Sequence, residues 1–353
     1  MNRVLRGSPA GGFGWTGGAP FVREPPVAGI GYMLVAAAFF SVMGAGAKVL
    51  GETLPVSQII VVRGLITMAL SAGVLWARGR SWRGTNGRLL WLRGLFGLGG
   101  LTCFFHAVQR LPLADASVLF YVNPIFTALA AVPFLNEALR PRDLAGLALA
   151  FAGVVCVARP EFLFGPLGDP AVGEAALATA SAGGGGSLGV ALALGGAAFS
   201  AGSYITIRKL RATDDPWVIT LYFTLVAVPL ALPSALQYGR WPTSTEWVWL
   251  AVVGLCTQVG QILGAYGLHK LPAGPAVALG YAQVAFAFGW GVLLFDEPIR
   301  ALSVFGATLV FGGVLVIGAS VRARVRAESP PMRPAPTGPQ LSRPADRPAP
   351  RVE

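Results

Sequence analysis

The sequence predicts an all-α integral membrane protein whose ten transmembrane helices form two inverted five-helix repeats. Three observations carry that prediction. Hydrophobic residues make up 54% of the 353-residue chain and charged residues only 12%, with a mean hydropathy of +0.63, whereas a soluble domain carries about a quarter charged residues. Apolar runs near the roughly 20 residues that a bilayer core requires recur along the chain. Finally, LPLADASVLFYVNPIFTALAAVPFLNEALR at 111–140 returns at 271–300 as LPAGPAVALGYAQVAFAFGWGVLLFDEPIR, an offset of 160 residues.

In order, the predicted spans are 29–50, 56–77, 89–109, 115–136, 143–159, 188–208, 216–237, 246–268, 274–295 and 301–320. The offset extends beyond the motif: Phe39 falls on Phe199, Lys48 on Arg208, Gly94 on Gly254, Gly146 on Gly306 and Gly153 on Gly313. The chain therefore divides into an N-terminal tail (1–28), a first repeat (29–160), a Gly- and Ala-rich connector (161–187), a second repeat (188–320) and a basic, Pro-rich tail (321–353). The connector reads as flexible and the last tail as disordered. Because five spans per repeat is an odd number, contiguous insertion makes the second repeat run opposite to the first. Transporters commonly use this construction, with the site near the midplane between repeats.

Charge bias sets the expected orientation. With the N-terminus cytoplasmic, the inner loops hold Arg78, Arg80, Arg83 and Arg88, then Arg140 and Arg142, then Arg208, Lys209 and Arg211, and Lys270, with Arg322, Arg324 and Arg326 after the last span. The opposite loops hold Arg110, Arg159, Arg240 and Arg300 beside acids such as Glu52 and Glu246. The positive-inside rule then puts both termini in the cytoplasm and the protein in the inner or plasma membrane. The same distribution accounts for the net charge of +11 without nucleic acid, since no basic patch is interleaved with aromatic residues. A lead of nearly thirty residues before the first span lacks a small-residue cleavage site, so that span is expected to be retained.

Catalytic, metal and cofactor chemistry find no motif. Cys103, Cys156 and Cys256 lie in apolar runs away from any His or Cys at ligand spacing. The connector glycines lack the Lys-Ser/Thr of a phosphate loop, and no Gly-x-Ser-x-Gly occurs. We therefore expect no catalytic residue, no metal and no cofactor.

Polar side chains within hydrocarbon are unfavourable, so each is a candidate for a substrate cavity. Span two offers Arg63, whose repeat mate is Phe223, and span three offers His106 near its outer end. Span eight offers Gln258 and Gln261, three residues apart and expected on one face. Tyr121 and Asn123 in span four match Tyr281 and Gln283 in span nine. Pro124 leaves the Phe120 carbonyl without a helical donor, so a kink is expected there. Lys48 and Arg93 lie nearer span ends and read as orientation and lipid contacts. Glu137 with Arg140, and Glu297 with Arg300, read as local turn fixtures. Gly94, Gly97, Gly100, Gly146, Gly153, Gly306 and Gly313 read as packing. Spans five and ten, nearly free of polar residues, are expected at the periphery and at a homodimer contact. No carboxylate lies in mid-span, which leaves facilitated diffusion or exchange at least as plausible as proton coupling.

Each half closes with Leu-Pro, then Ala, Tyr, Phe, Glu and Gly, ending Gly-Val, over Leu111–Val154 and Leu271–Val314. This duplicated pattern resembles the EamA-like family of the drug/metabolite transporter superfamily over nearly all of residues 29–320. The resemblance implies a central cavity lined by helices three, four, eight and nine, with help from one, two, six and seven, and transport of a small organic metabolite. A secondary exporter of a solute such as an amino acid, working by alternating access within a lipid bilayer, is the resulting expectation. The alternatives are a non-transporting scaffold or a membrane-embedded lipid-handling protein, flippase or enzyme.

Overall fold

The computed structural model describes residues 28–160, 163 and 185–328. The N-terminal tail, most of the connector and the end of the C-terminal tail lie outside those residues. Among the described residues, twelve helices make ten spans. The first half contains α1 (Ala28–Gly51), α2 (Val56–Ala77), α3 (Gly87–Val108), α4 (Leu113–Phe120), α5 (Asn123–Leu135) and α6 (Pro141–Ala158). The second contains α7 (Gly185–Leu210), α8 (Pro216–Tyr238), α9 (Ser244–Lys270), α10 (Ala273–Leu279), α11 (Ala282–Phe295) and α12 (Ala301–Glu328). Among the described residues there is no strand.

Local chemistry explains the helix ends. Asn86 accepts a bond from the Leu89 N–H at the start of α3, and Asp215 accepts one from Trp217 ahead of α8, whose first residue is Pro216. Thr243 and Glu246 form a reciprocal capping box on α9. Span four is α4 plus α5 and span nine is α10 plus α11, so both copies of the repeated motif are broken helices. Each ends in a left-handed residue, Asn136 (φ 54°) and Asp296 (φ 49°), which are repeat mates. Asn and Asp tolerate that conformation better than other side-chain-bearing residues do.

Packing follows the repeat. α1 packs on α9 and α3 on α7, two interfaces that exchange under the 160-residue offset, as do α5 on α7 and α11 on α1. α2 packs on its own mate α8, and α6 on its own mate α12. The correspondence reaches single atoms. A methyl added at Gly29 would lie 2.7 Å from Leu271 Cγ, and one at Gly189 would lie 2.7 Å from Leu111 Cγ. Large apolar side chains such as Leu65, Leu95, Leu129, Leu230 and Leu315 face outward, as expected where the solvent is lipid.

The halves are inverted. Glu137, just past the C-terminal end of span four, accepts a bond from the Ala273 N–H at the N-terminal end of span nine. Mates that meet end to opposite end run antiparallel. The face with Glu137 also carries the loops 78–86 and 211–215, and is called the arginine-rich face below.

The glycines of spans five and ten, read from sequence as packing residues, pack against each other within the chain. A methyl at Gly153 would sit 2.5 Å from the Gly306 carbonyl oxygen and 2.6 Å from the Val310 nitrogen, and one at Gly306 would sit 2.7 Å from the Gly153 carbonyl oxygen. Small residues let these two backbones touch. Gly153→Ala should lower the melting temperature of the purified protein, since backbone cannot rotate aside as a side chain can; overpacking costs about 1–3 kcal/mol. Gly73→Ala, with nothing within 4 Å, should leave it unchanged or raise it. Equal melting temperatures for all three proteins would contradict this account of the seam.

Candidate functional site

The two helix breaks meet at the centre of the molecule. Pro124 has no N–H, and the Asn123 side chain supplies the missing donor, its Nδ2 bonding the Phe120 carbonyl at 3.0 Å. The Tyr281 hydroxyl donates to the Tyr121 carbonyl at 2.6 Å, and the two rings lie edge to face with centroids 6.3 Å apart. Span nine breaks without a proline at the position matching Pro124, where Val284 instead donates to the Tyr281 carbonyl. Gly280, a weak helix former, stands at that second break. Its opening was not anticipated from the sequence.

A cavity of about 260 Å³ lies against this crossing. It is large enough for roughly nine waters at about 30 Å³ each, or for one small metabolite. Its walls come from spans one, two, three, four, six, seven, eight and nine; spans five and ten contribute nothing. Of the eight residues proposed from sequence, Arg63, Tyr121, Asn123, Gln261, Tyr281 and Gln283 line it.

Gln258 and His106 do not line it, which corrects two expectations. Gln258 is buried, and its Nε2 donates to Ser71 Oγ at 2.9 Å, tying α9 to α2. A spacing of three residues turns a helix by about 300°, so Gln258 and Gln261 can face different neighbours. Gln261 turns to the cavity, and its Oε1 is buried without a protein partner. His106 is exposed at the end of α3, 3.3 Å from Gln109 Oε1.

Arg93 corrects a third expectation. It is not a lipid contact: only 9% exposed, it lines the cavity with its guanidinium 4.8 Å from the centre of the Phe223 ring. Gly97, read from sequence as helix packing, leaves room for it, because a methyl there would collide with both the Arg93 guanidinium and the Phe223 ring. An arginine six residues into a 22-residue helix with glycine one turn later was the available signal. Tyr204, Ser200, Ser203 and Thr220 also line the cavity and were missed, because none stands out in an apolar run.

The matched acids correct a fourth. Glu137 does not fix a local turn with Arg140. It pairs with Arg208 at 2.8 Å, with both side chains largely buried (8% exposed for Arg208, 16% for Glu137). Arg208 Nη1 also donates to the Leu268 and His269 carbonyls at 2.8 and 2.9 Å, and the other Glu137 oxygen takes the Ala273 N–H at 2.6 Å. Four bonds thus latch α7, the end of span four and the α9–α10 turn together at the arginine-rich face. The repeat supplies the counterpart at the opposite face, since Lys48 is the mate of Arg208 and Glu297 the mate of Glu137. Lys48 and Glu297 pair at 2.6 Å, about half exposed. Lys48 is therefore part of this second latch, rather than an orienting or lipid contact. Among the described residues, it makes no bond to the carbonyls of Val108 or Gln109 that match those held by Arg208.

Ten apolar spans in two five-helix halves around a central cavity define a multi-pass membrane transporter for small molecules. The model of the EamA-like transporter family matches residues 27–159 and again 187–319, and the chain belongs to that family. It is 29% identical over 284 residues to the pseudopaline exporter CntI of Pseudomonas aeruginosa, covering 80% of this chain and 93% of that protein. It is 27% identical over 307 residues to human solute carrier family 35 member G1, covering 85% and 81%. A crystal structure at 19% identity matches with a TM-score of 0.70, over 86% of this chain and 99% of that one. That likeness shows the fold alone. The family and these relatives are transporters, not enzymes.

The crossing of the breaks yields a stability prediction. Tyr281→Phe removes a buried bond in the membrane interior and should destabilise the protein by about 0.6–2 kcal/mol, read as a lower melting temperature in detergent. Tyr121→Phe keeps its ring, and the hydroxyl it loses makes no hydrogen bond among the described residues, so it should melt like the parent. The reverse order would refute the role given to the Tyr281 hydroxyl.

Proposed function

We propose that the protein is a secondary exporter of a small organic metabolite, an amino acid or similar carboxylate-bearing solute, working by alternating access in the cell membrane. The arginine-rich face is the cytoplasmic one under the positive-inside rule, with both termini on that side. The observation that carries this reading is the unequal pair of latches. Among the described residues, those related by the repeat hold the two faces to different degrees, with a largely buried ion pair and its two carbonyl bonds on one side and a half-exposed ion pair on the other. Two faces built from the same parts can exchange these states when the halves rock about the Tyr121–Tyr281 crossing, which moves access to the cavity from one side to the other. Outward transport is supported by similarity to a protein named as an exporter.

The first test is flux. Reconstituted in liposomes, the protein should accelerate counterflow of a substrate across the bilayer, and flux equal to that of empty liposomes for every solute tried would defeat the transporter mechanism. The second test addresses the latch. Arg208→Gln leaves Glu137 facing a neutral partner, and breaking a buried pair costs about 3–5 kcal/mol. The state open to the arginine-rich face should gain population. In a variant lacking Cys103, Cys156 and Cys256, a cysteine at Ser203 should then react faster with an impermeant maleimide added from that face. Lys48→Gln should leave that rate nearly unchanged. A rigid scaffold predicts no change with either substitution.

A further inference from the structure

Several charged side chains of the spans and their loops pair within the frame. Arg208 pairs with Glu137, Lys48 with Glu297, Arg80 with Asp215, Arg240 with Glu246 and Arg324 with Asp143. The frame cations also repeat: Lys48 matches Arg208, Arg80 matches Arg240, and Arg140 matches Arg300. Two cations inside the cavity stand outside both patterns. Arg63 and Arg93 line the cavity, have no ion pair among the described residues, and match Phe223 and Val253 in the other half. The repeat architecture does not need them, so their place in the cavity calls for another explanation.

Their surroundings sharpen the point. No aspartate or glutamate lines the cavity. Arg93 is nine-tenths buried, its Nε has no hydrogen-bond partner among the described residues, and the Phe223 ring and Tyr204, rather than a carboxylate, stand beside it. For Arg63 the one recorded polar approach is Nη1 to the Met43 sulfur at 4.0 Å, beyond a good hydrogen bond. A buried guanidinium without an anion is unfavourable and stays charged at any physiological pH. The two also enter from opposite faces. Helix rise puts their Cα atoms roughly 13 Å apart along the bundle, a gap that two long side chains narrow from either end.

We infer that the cargo is a small organic oxyanion of net negative charge, carrying two anionic groups that Arg63 and Arg93 hold from opposite ends. The inference rests on the transporter reading of the cavity and names its substrate class. Guanidinium forks match carboxylate and phosphate oxygens in paired bonds. The unpartnered Gln261 Oε1, with Asn123, Gln283 and Ser203, leaves donors and acceptors for the rest of the molecule. A zwitterion with a single carboxylate would leave one guanidinium unserved, and a polyamine would meet like charge.

The test uses the purified full chain and six probes: succinate, L-glutamate, 3-phosphoglycerate, leucine, putrescine and sodium sulfate. At saturating concentration, at least one of the three organic oxyanions should raise the melting temperature by several degrees, and comparison of these arms separates carboxylate from phosphate. Leucine, putrescine and sulfate should not. Arg63→Gln and Arg93→Gln should each weaken binding of the effective oxyanion by at least about 10-fold, while melting no lower than the parent without ligand, because each removes an uncompensated charge. Arg93→Lys should restore part of the affinity. The assignment is overturned by silence from all three oxyanions, by an equal response to sulfate, by a preference for leucine or putrescine, or by unchanged affinity in both glutamine variants. Counterflow keeps the two readings apart. An oxyanion that binds but is not moved leaves this site standing and removes the transporter mechanism. A neutral or cationic solute moved equally well by both glutamine variants does the reverse.

Discussion

A transmembrane helix is stable because its backbone satisfies itself, and a break at mid-membrane leaves carbonyls that lipid cannot serve. This protein breaks two helices at the same depth and solves both problems with the residues at the breaks. Asn123 closes the carbonyl that Pro124 orphans, and Tyr281 reaches across to the carbonyl of its own repeat mate, Tyr121. The second bond joins the two halves at the point where they cross. The cavity lies against it, and the latches at the two faces act at the far ends of α5, α10 and α11.

Two kinds of residue emerge around that crossing. One kind is duplicated and holds the frame: Leu111 and Leu271 seated on Gly189 and Gly29, the left-handed Asn136 and Asp296, and the acids Glu137 and Glu297 with their cations across the halves. The other kind is unduplicated and faces the cavity: Arg63, Arg93, Phe223, Gln261, and the unequal pair Asn123 and Gln283. A symmetric frame gives two faces that can exchange roles. An asymmetric lining is compatible with one preferred cargo, because cargo has no reason to share the symmetry of its carrier.

Much of this was legible in the residues. The 160-residue repeat, the run lengths and the proline at 124 pointed to ten spans, inversion and a weak point in span four. Six of the eight nominated polar residues line the cavity. The misses share one cause, that sequence spacing says which residues can share a helix face but not what that face meets. Gln258 and Gln261 sit three residues apart and look in different directions. Arg93 resembled a snorkelling residue by its distance from the helix end, yet it folds inward over Phe223 into space that Gly97 leaves. Glu137 and Arg140 are neighbours in sequence, but the left-handed turn at Asn136 sends the acid to Arg208, 71 residues away.

By itself, the sequence determined the class of solvent, the number of crossings and the two-fold plan. These follow from local quantities: hydropathy summed over a run, charge counted over a loop, and self-similarity at one offset. Tertiary structure decided which faces pair, which cations keep a partner and which helices give up their glycines to each other. Those outcomes depend on contacts between residues distant in the chain. The fold brings Arg208 to Glu137 and Arg240 to Glu246, and where it supplies no carboxylate in the cavity, as at Arg63 and Arg93, the charge is left for a ligand.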